Sequence, residues 1–285
     1  MKTEKVLARL ATLTNGLVRF ANPVQVMYER TFNPRGVMTI SDRHTGVTLE
    51  AATASYGMFR ETWCYGDYDV AACPIRKGDV VVDIGANQGF YTCYAAQRGA
   101  KVFAYEPSSE SCQRLRDNVK RNGFDSHVEV REAAVGAQDG TARLFCSDFL
   151  GGGANTTIAD HAQLLEQRGA RYDGGQEVRM VAFKDVLQQC GPIRIVKMDC
   201  EGAELSLIKE ISEPGLIDSL AMEFHPRLYR LEELAQTIRG WGTHQVSFAR
   251  SAYILYAVRT DILLGYTRDI DEGRLPVEPV RSYCG

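Results

Sequence analysis

The stretch that decides the fold is VVVDIGANQGFY, from Val80 to Tyr91. Its first half is a run of β-branched residues, which predicts a buried strand. Its second half contains Gly85 and Gly89, where the backbone can turn tightly and approach a ligand closely. In an open parallel sheet, ligands bind at the carboxyl ends of the strands. The stretch therefore predicts the first strand of such a sheet, with a nucleotide-like ligand at its end.

Short β-branched runs alternate with helical patterns from Gly78 onward. This alternation is typical of an α/β fold in which helices connect the strands of a parallel sheet. The clearest expected strands are Val80–Ile84, Lys101–Tyr105, Ile193–Met198 and Ile217–Phe224. Two further strands are expected at His244–Phe248 and Tyr253–Val258. No helical pattern separates them, so they should form an antiparallel pair that closes the sheet.

The two ends of the chain follow other patterns. Val24–Phe32 and Val37–Ile40 are expected to be strands, and a hairpin turn is expected around His44-Thr45-Gly46. We therefore divide the chain into an N-terminal extension packed on the core (1–75), a cofactor-binding domain (76–260) and a C-terminal tail (261–285). The polar tail is expected to cover the site or to contact a second chain in a homodimer.

Composition bears on partners and location. The net charge is -3, so no global positive field favours nucleic acid or an acidic membrane surface. No run of about 18 apolar residues predicts a membrane span. The 8 cysteines form no C-x-x-C pair, which favours reduced thiols in a cytoplasmic protein. Neither nucleic acid nor a membrane is therefore expected as a partner.

The loop after the first strand distinguishes between nucleotide cofactors. A dinucleotide loop has G-x-G-x-x-G spacing, whereas this loop has Gly85-x-Asn87-x-Gly89. Asp83, directly before the turn, would repel a pyrophosphate but suits a cationic amino-acid cofactor. Glu106 ends the next strand about twenty residues on, where an acid typically accepts the ribose hydroxyls. The loop therefore favours S-adenosylmethionine over NAD.

Five stretches together resemble the FkbM-type methyltransferases in order and spacing. They are VVVDIGANQGFYT, AYEPSSESCQRLRDNV, AAVG, IVKMDCEGAELSLIKEI and MEFHP, and the match runs roughly from Pro74 to Pro226. The resemblance implies a Rossmann-like class I methyltransferase fold, with a mostly parallel seven-stranded sheet and helices on both faces. It also implies methyl transfer from S-adenosylmethionine, mostly to oxygen atoms of saccharides or natural products, with some N-methylating relatives.

The resemblance also implies which residues contact the cofactor. The loop after the first strand would surround the methionine part, Glu106 would bind the ribose, and Ala134 and Val135 would lie against the adenine. Glu61 and Tyr65 are expected to close over the cofactor. The full expected set is Glu61, Tyr65, Asp83, Gly85, Asn87, Gly89, Tyr91, Glu106, Pro107, Ser108, Ala134, Val135 and Asp199.

Two neighbouring strands are predicted to carry the catalytic residues at their carboxyl ends. Asp199 and Glu201 follow the strand Ile193–Met198, and Glu223 and His225 end the next strand. Glu223 and His225 are two residues apart, so in extended backbone they point the same way. An imidazole accepts a proton near neutral pH, and a nearby carboxylate raises its basicity. His225 is therefore expected to be the base, with Glu201 or Glu223 orienting it or the acceptor.

The same residues leave other interpretations open. Glu201 could cap the helix that follows it while His225 fills a turn. Asp199, Glu201, Glu223 and His225 could instead hold magnesium or manganese. No Asp-Asn pair follows at the spacing of metal-dependent catechol-type enzymes, so no metal is expected.

Function and one long segment also leave alternatives. N-methylation, or a cofactor-binding scaffold without turnover, are alternatives to O-methylation, and an NAD-dependent oxidoreductase is a more distant one. The glycine-rich segment 149–176 is expected to be irregular. It could be a lid that carries Asn155 and Thr156 toward the acceptor, or a flexible connector.

Overall fold

The structure is a computed structural model that describes residues 19–147, 155–167, 169–172, 175–248, 254–272 and 274. The strands are β1 Val37–Ser41, β2 Thr48–Ala52, β3 Val80–Ile84, β4 Lys101–Tyr105, β5 Val128–Arg131, β6 Ala134–Gly136, β7 Gly140–Leu144, β8 Gln176–Ala182, β9 Ile193–Met198, β10 Ile217–Glu223, β11 His244–Phe248 and β12 Ile254–Arg259. The α-helices are α1 Pro23–Phe32, α2 Tyr56–Phe59, α3 Phe90–Gln97, α4 Ser109–Arg121, α5 Ala159–Glu166, α6 Phe183–Cys190, α7 Glu204–Lys209, α8 Leu231–Gly240 and α9 Thr260–Asp271. A π-helical stretch, Arg60–Tyr65, continues α2.

The central sheet has seven strands, in the order β11-β12-β10-β9-β3-β4-β5. Its members from β10 to β5 run parallel, and β12 pairs antiparallel with both β10 and β11. The predicted mostly parallel seven-stranded sheet and its antiparallel end are both confirmed. From β3 the chain proceeds to β4 on one side and later returns to β9 on the other. The strand order therefore reverses between β3 and β9, and such a switch point is where open α/β sheets bind ligands.

Both faces of the sheet are buried, because successive side chains of a strand point to opposite faces. Val81 belongs to the hydrophobic cluster that includes residues of α3, α4 and the N-terminal extension. Val82 belongs to the cluster on the other face, with residues of α6, α7 and α8. This two-sided burial explains why the strands read as nearly continuous apolar runs.

The segment from Val24 to Phe32 is the helix α1, so the prediction of a strand there was wrong. Pro23 occupies the first turn, where a missing N–H costs nothing. The side chain of Asn22 fixes this helix start against β1, since its Nδ2 donates to the carbonyl of Thr39 at 2.8 Å. The predicted hairpin is confirmed, with β1 and β2 antiparallel. These long-range contacts override the strand preference of the valines.

The three strands that follow β5 along the chain do not join the central sheet. Strands β6, β7 and β8 form a separate three-stranded sheet in the order β6-β8-β7. The helix α5 lies within the segment expected to be irregular, whereas its glycine-rich part, Gly151-Gly152-Gly153, lies outside the described residues. The segment expected to be a polar tail, 261–285, begins within the helix α9. Among the described residues, no helix combines the length and apolarity that crossing a membrane requires.

Candidate active site

A cavity of about 610 Å³ lies at the carboxyl ends of β3, β4 and β9, at the switch point of the sheet. Many of its lining residues belong to the set predicted from the sequence. These are Gly85, Asn87, Glu106, Pro107, Ala134, Val135, Asp199 and Glu201. Met58, Leu144 and Asn155 also line the cavity. The site therefore combines the predicted loops with residues from the N-terminal extension and from the three-stranded sheet β6-β8-β7.

The turn after β3 depends on a glycine. Gly85 has a φ of 75°, and a Cβ on it would lie 1.8 Å from the carbonyl oxygen of Asp199. A side chain there would therefore force apart the ends of β3 and β9. Asn87 follows in the left-handed region, with a φ of 48°. The backbone of this turn thus forms an open cradle beside the cavity.

Glu106 is buried at the end of β4 and faces this turn. Its Oε2 accepts a hydrogen bond from the N–H of Asn87 and its Oε1 one from the N–H of Ser108, both at 2.9 Å. Burial raises the pKa of Glu106 to about 7, although the two N–H donors and the charge of Lys197 oppose the rise. The carboxyl group is in the place predicted for a ribose contact.

Asp83 lies behind the cavity wall rather than in it. Its carboxylate is fully buried, accepts a hydrogen bond from the hydroxyl of Thr92 at 2.6 Å, and lies 3.3 Å from Lys197 Nζ. Lys197 Nζ also donates to the carbonyl of Gly85 at 2.7 Å and lies 3.7 Å from Asp199 Oδ2. Asp83 therefore contacts the cavity only through Lys197. Its carboxylate holds the lysine, which in turn contacts the turn at Gly85 and the side chain of Asp199.

Sequence reasoning missed Lys197, although its position carried a signal. Lys197 lies between the apolar residues Val196 and Met198, where the strand pattern predicts burial. A lysine is rarely buried unless it has a charged partner, so its position indicates one. Burial lowers its pKa, but the carboxylates of Asp83 and Asp199 outweigh this effect and raise it. Lys197 therefore stays charged.

Asp199 and Glu223 form a pair of carboxyl groups at the ends of β9 and β10. The hydroxyl of Tyr68 donates to Asp199 Oδ2 at 2.9 Å. Burial acts to raise the pKa of Asp199, but Lys197 and the hydrogen bond with Glu223 lower it overall. Burial and the charge of Asp199 raise the pKa of Glu223 well above its usual range. The proximity of the two carboxyl groups therefore favours the ionised form at Asp199 over that at Glu223.

His225 lies between two carboxyl groups. Its Nε2 is 3.4 Å from Glu201 Oε2 and its Nδ1 is 3.4 Å from Glu204 Oε2. Burial lowers its pKa, but the contacts with Glu201 and Glu204 raise it to about 11. A protonated imidazole has no lone pair to accept a proton. A ring held as a cation by these two carboxyl groups cannot take the proton, so the role of His225 as the base stays a prediction for its neutral form.

Glu201 is the centre of this cluster. Its backbone is in the left-handed region, with a φ of 52°, and its carbonyl accepts a hydrogen bond from the hydroxyl of Thr156 at 2.7 Å. Burial and the charge of Asp199 raise the pKa of its carboxyl to about 7, against the contact with His225. The helix α7 has no side-chain cap hydrogen bond, so the contacts do not support the alternative in which Glu201 only caps it.

His161 completes the cluster, and sequence reasoning did not identify it. This buried residue of α5 places its Nδ1 2.7 Å from the carbonyl of Glu201, and its ring centroid lies 5.0 Å from that of His225. Forty residues separate His161 from Glu201, and no motif connects them. Only the folded chain brings them together.

Five residues of the predicted cofactor set lie near the cavity but not in its wall. Glu61 is exposed and Tyr65 half-buried on the π-helical stretch, and Tyr91 packs its ring 5.7 Å from that of Tyr68. Ser108 caps α4, with its hydroxyl accepting from the N–H of Ser111. Gly89 precedes α3, where a Cβ would meet the side chain of Leu115 at 2.4 Å. Their contacts with a cofactor stay predictions.

Comparison with known proteins gives consistent matches. Residues 83–245, more than half of the chain, match the family described as the methyltransferase FkbM domain. Methyltransferase sdnD of Sordaria araneosa is 27% identical over 196 residues, which are 61% of this chain and 74% of that protein. The 31-O-demethyl-FK506 methyltransferase FkbM of Streptomyces tacrolimicus is 27% identical over 224 residues, with 69% of this chain and 85% of that protein covered.

A solved structure of a similar protein is the methyltransferase FkbM from Methylobacillus flagellatus KT. It shares 15% identity and a TM-score of 0.42, covering 83% of this chain and 59% of that chain. The family match, which covers more than half of the chain, confirms the resemblance predicted from the five sequence stretches. This chain belongs to the FkbM methyltransferase family.

Proposed function

We propose that this protein uses S-adenosylmethionine to methylate a hydroxyl group of a saccharide or natural-product small molecule. The observation that carries the proposal is the wall of one cavity. Glu106, at the position of a ribose contact, and the acidic side chains Asp199 and Glu201 all line it. A nucleotide-like cofactor and an acceptor hydroxyl can therefore meet there.

The cavity residues fit S-adenosylmethionine in shape and charge. Gly85 and Asn87 bring the backbone of the turn to the cavity wall without bulky side chains, and Ala134 and Val135 offer an apolar surface to an adenine ring. When bound, the cofactor supplies an electrophilic methyl group on a positively charged sulfur. The carboxylates of Asp199 and Glu201 favour that positive charge at this end of the cavity.

The proton of the acceptor hydroxyl needs a receiver. We assign this role to Asp199, because Lys197 and Tyr68 keep its carboxylate ionised and oriented in the cavity wall. As the acceptor oxygen takes the methyl group from the sulfonium, Asp199 would receive the hydroxyl proton. Aligning the oxygen with the methyl carbon is the main task of the remaining cavity residues.

Oxygen is favoured over nitrogen as the acceptor atom. A carboxylate-rich site would hold an amine in its protonated form, which has no lone pair for attack. The name of one relative, 31-O-demethyl-FK506 methyltransferase, also describes an acceptor that lacks a methyl group on an oxygen. Both considerations support O-methylation as the proposed reaction.

Paired acceptors would test the reaction class. The full chain is incubated with methyl-labelled S-adenosylmethionine and pairs of sugars or natural products that differ only in carrying a hydroxyl or an amine at one position. We expect label on the hydroxyl member of a pair and none on the amine member. Transfer to nitrogen alone would contradict the proposal. Cofactor binding by calorimetry without transfer to any acceptor would instead support a scaffold.

The affinity for S-adenosylmethionine is expected to fall as the pH drops through about 7. Glu106 must be ionised to accept both ribose hydroxyls, and its raised pKa of about 7 means that acidification protonates it. For one such group, the dissociation constant rises roughly tenfold between pH 8 and pH 6. Calorimetric titrations across this range measure the effect.

A pair of variants assigns this pH dependence to its source. Glu106→Gln should bind more weakly at pH 8 and show a flatter pH profile. The exposed Glu110→Gln should keep the profile of the unmodified protein. A profile that survives in Glu106→Gln would place the titrating group elsewhere and count against the ribose contact.

A further inference from the structure

Three potential metal ligands converge at the edge of the cavity from three separate elements. His161 lies on α5, Glu201 follows β9, and His225 follows β10. Glu201 Oε2 is 3.6 Å from His161 Nδ1 and 3.4 Å from His225 Nε2. One ligand atom from each residue lies within 4.8 Å of the other two. All three side chains are largely shielded from solvent, with at most 19% of their area exposed.

These separations are close to those of a coordination sphere. Bonds of about 2.1 Å at right angles place neighbouring ligand atoms roughly 3 Å apart. The distances from Glu201 Oε2 exceed this value by only a few tenths of an ångström. His161 Nδ1 contacts the Glu201 carbonyl in the free chain, so binding a cation would release that contact and its proton while rotamer adjustments bring the three ligand atoms together.

The surroundings of His225 match those of a metal-binding histidine. Such a histidine almost always donates its other ring N–H to a carboxylate or a carbonyl. Here the Nδ1 of His225 faces Glu204 Oε2 at 3.4 Å. Glu204 is fully buried and is held by the hydroxyl of Tyr229 at 2.8 Å and by the N–H of Cys200 at 3.0 Å. Nδ1 and Oε2 are close but not hydrogen-bonded in the free chain, and a cation at Nε2 would replace the ring proton that faces Glu201.

The backbone of Glu201 is in the left-handed region, which is unfavourable for a residue other than glycine. A non-glycine residue with a positive φ is uncommon and tends to occur at functional sites. The contacts of the Glu201 carbonyl with Thr156 and His161 maintain that conformation. As a result, both the carbonyl and the carboxylate of Glu201 lie next to His161.

We propose that His161, Glu201 and His225 bind one divalent first-row transition-metal cation, such as manganese, iron, cobalt or zinc. Two imidazoles and one carboxylate suit these ions and leave coordination positions open, whereas magnesium and calcium prefer oxygen ligands alone. Because Glu201 and the neighbouring Asp199 line the cavity, an open position would face the acceptor. In the proposed methyl transfer, which this last step presupposes, the cation would bind the acceptor oxygen. The sequence predicted no metal because it did not identify His161 as a possible ligand. The position of His161 beside Glu201 is what leads to this proposal.

Metal binding is tested first, without cofactor or acceptor. The full chain is freed of metal with a chelator, dialysed and titrated with Co²⁺, whose absorption bands report its ligands. We expect one Co²⁺ per chain, an affinity loss of at least about 100-fold in His161→Gln, and a loss of about 10–100-fold in Glu204→Gln. His127→Gln, at an exposed position outside the site, should bind as the unmodified protein does.

The outcomes separate this proposal from the proposed function. Absence of stoichiometric Co²⁺ binding, or equal binding by His161→Gln with an unchanged circular-dichroism spectrum, would overturn the site, whatever the protein methylates. If Co²⁺ binds but chelator treatment leaves methyl transfer unchanged, the role toward the acceptor oxygen is overturned. Loss of transfer on chelation and recovery with Mn²⁺ would support both parts.

Discussion

Replacing Lys197 by methionine is expected to lower the free energy of unfolding by about 3–5 kcal/mol. Methionine keeps most of the volume and the apolar stem, but it leaves the carboxylate of Asp83 fully buried without its cation. Removing one partner of a buried pair is costly because the other charge stays uncompensated. Chemical denaturation followed by circular dichroism measures the change.

Two further variants make this result specific. Lys120→Met, at an exposed position on α4, should change the stability by less than about 0.5 kcal/mol. Adding Asp83→Asn to Lys197→Met removes the unpaired charge and should recover part of the loss. A cost below about 1 kcal/mol for Lys197→Met alone would mean that the two carboxylates do not depend on this cation.

Replacing Asp199 by asparagine is expected to lower kcat by about 10²–10⁴-fold, the usual contribution of general base catalysis. Asparagine keeps the shape of the side chain but cannot take the hydroxyl proton. The hydrogen bond from Tyr68 can persist, so the fold should be retained. Single-turnover methyl transfer on the best acceptor measures the effect.

The matched control for Asp199→Asn is Asp117→Asn, on the exposed face of α4. It should retain the activity of the unmodified protein. A variant Asp199→Asn with kcat within about threefold of that protein would remove Asp199 from the role of proton acceptor. Glu201, which also lines the cavity, would then be the next candidate for the proton acceptor.

The sheet and the cofactor end of the cavity were predictable because their signals are local. Strands buried on both faces are continuous apolar runs, and the carboxyl ends of neighbouring parallel strands meet by geometry alone. Hence Gly85, Glu106 and Asp199 were placed correctly in one cavity. The α1 helix was not predictable in this way, since Asn22 and β1 fix its start from a distance.

The charge states of the site depended on contacts that no local pattern shows. The sequence named His225, but the carboxyl groups of Glu201 and Glu204 together raise the pKa of its ring, and Glu204 looked like an ordinary helix residue. His161 comes from a segment expected to be irregular and reaches Glu201 across forty residues of sequence. The sequence thus predicts which side chains lie at a strand end. Predicting their pKa values also requires knowing which residues pack against them.

The hydrogen bond from Tyr68 to Asp199 has a consequence for building chimeras from related chains. The family match begins at residue 83, yet Tyr68 and the cavity residue Met58 both precede it. A transplant limited to the matched segment would leave Asp199 without its hydroxyl partner and the cavity without part of its wall. A breakpoint upstream of α2 would carry Tyr68 and Asp199 together, so that swapped modules keep the proposed proton acceptor with its hydroxyl partner.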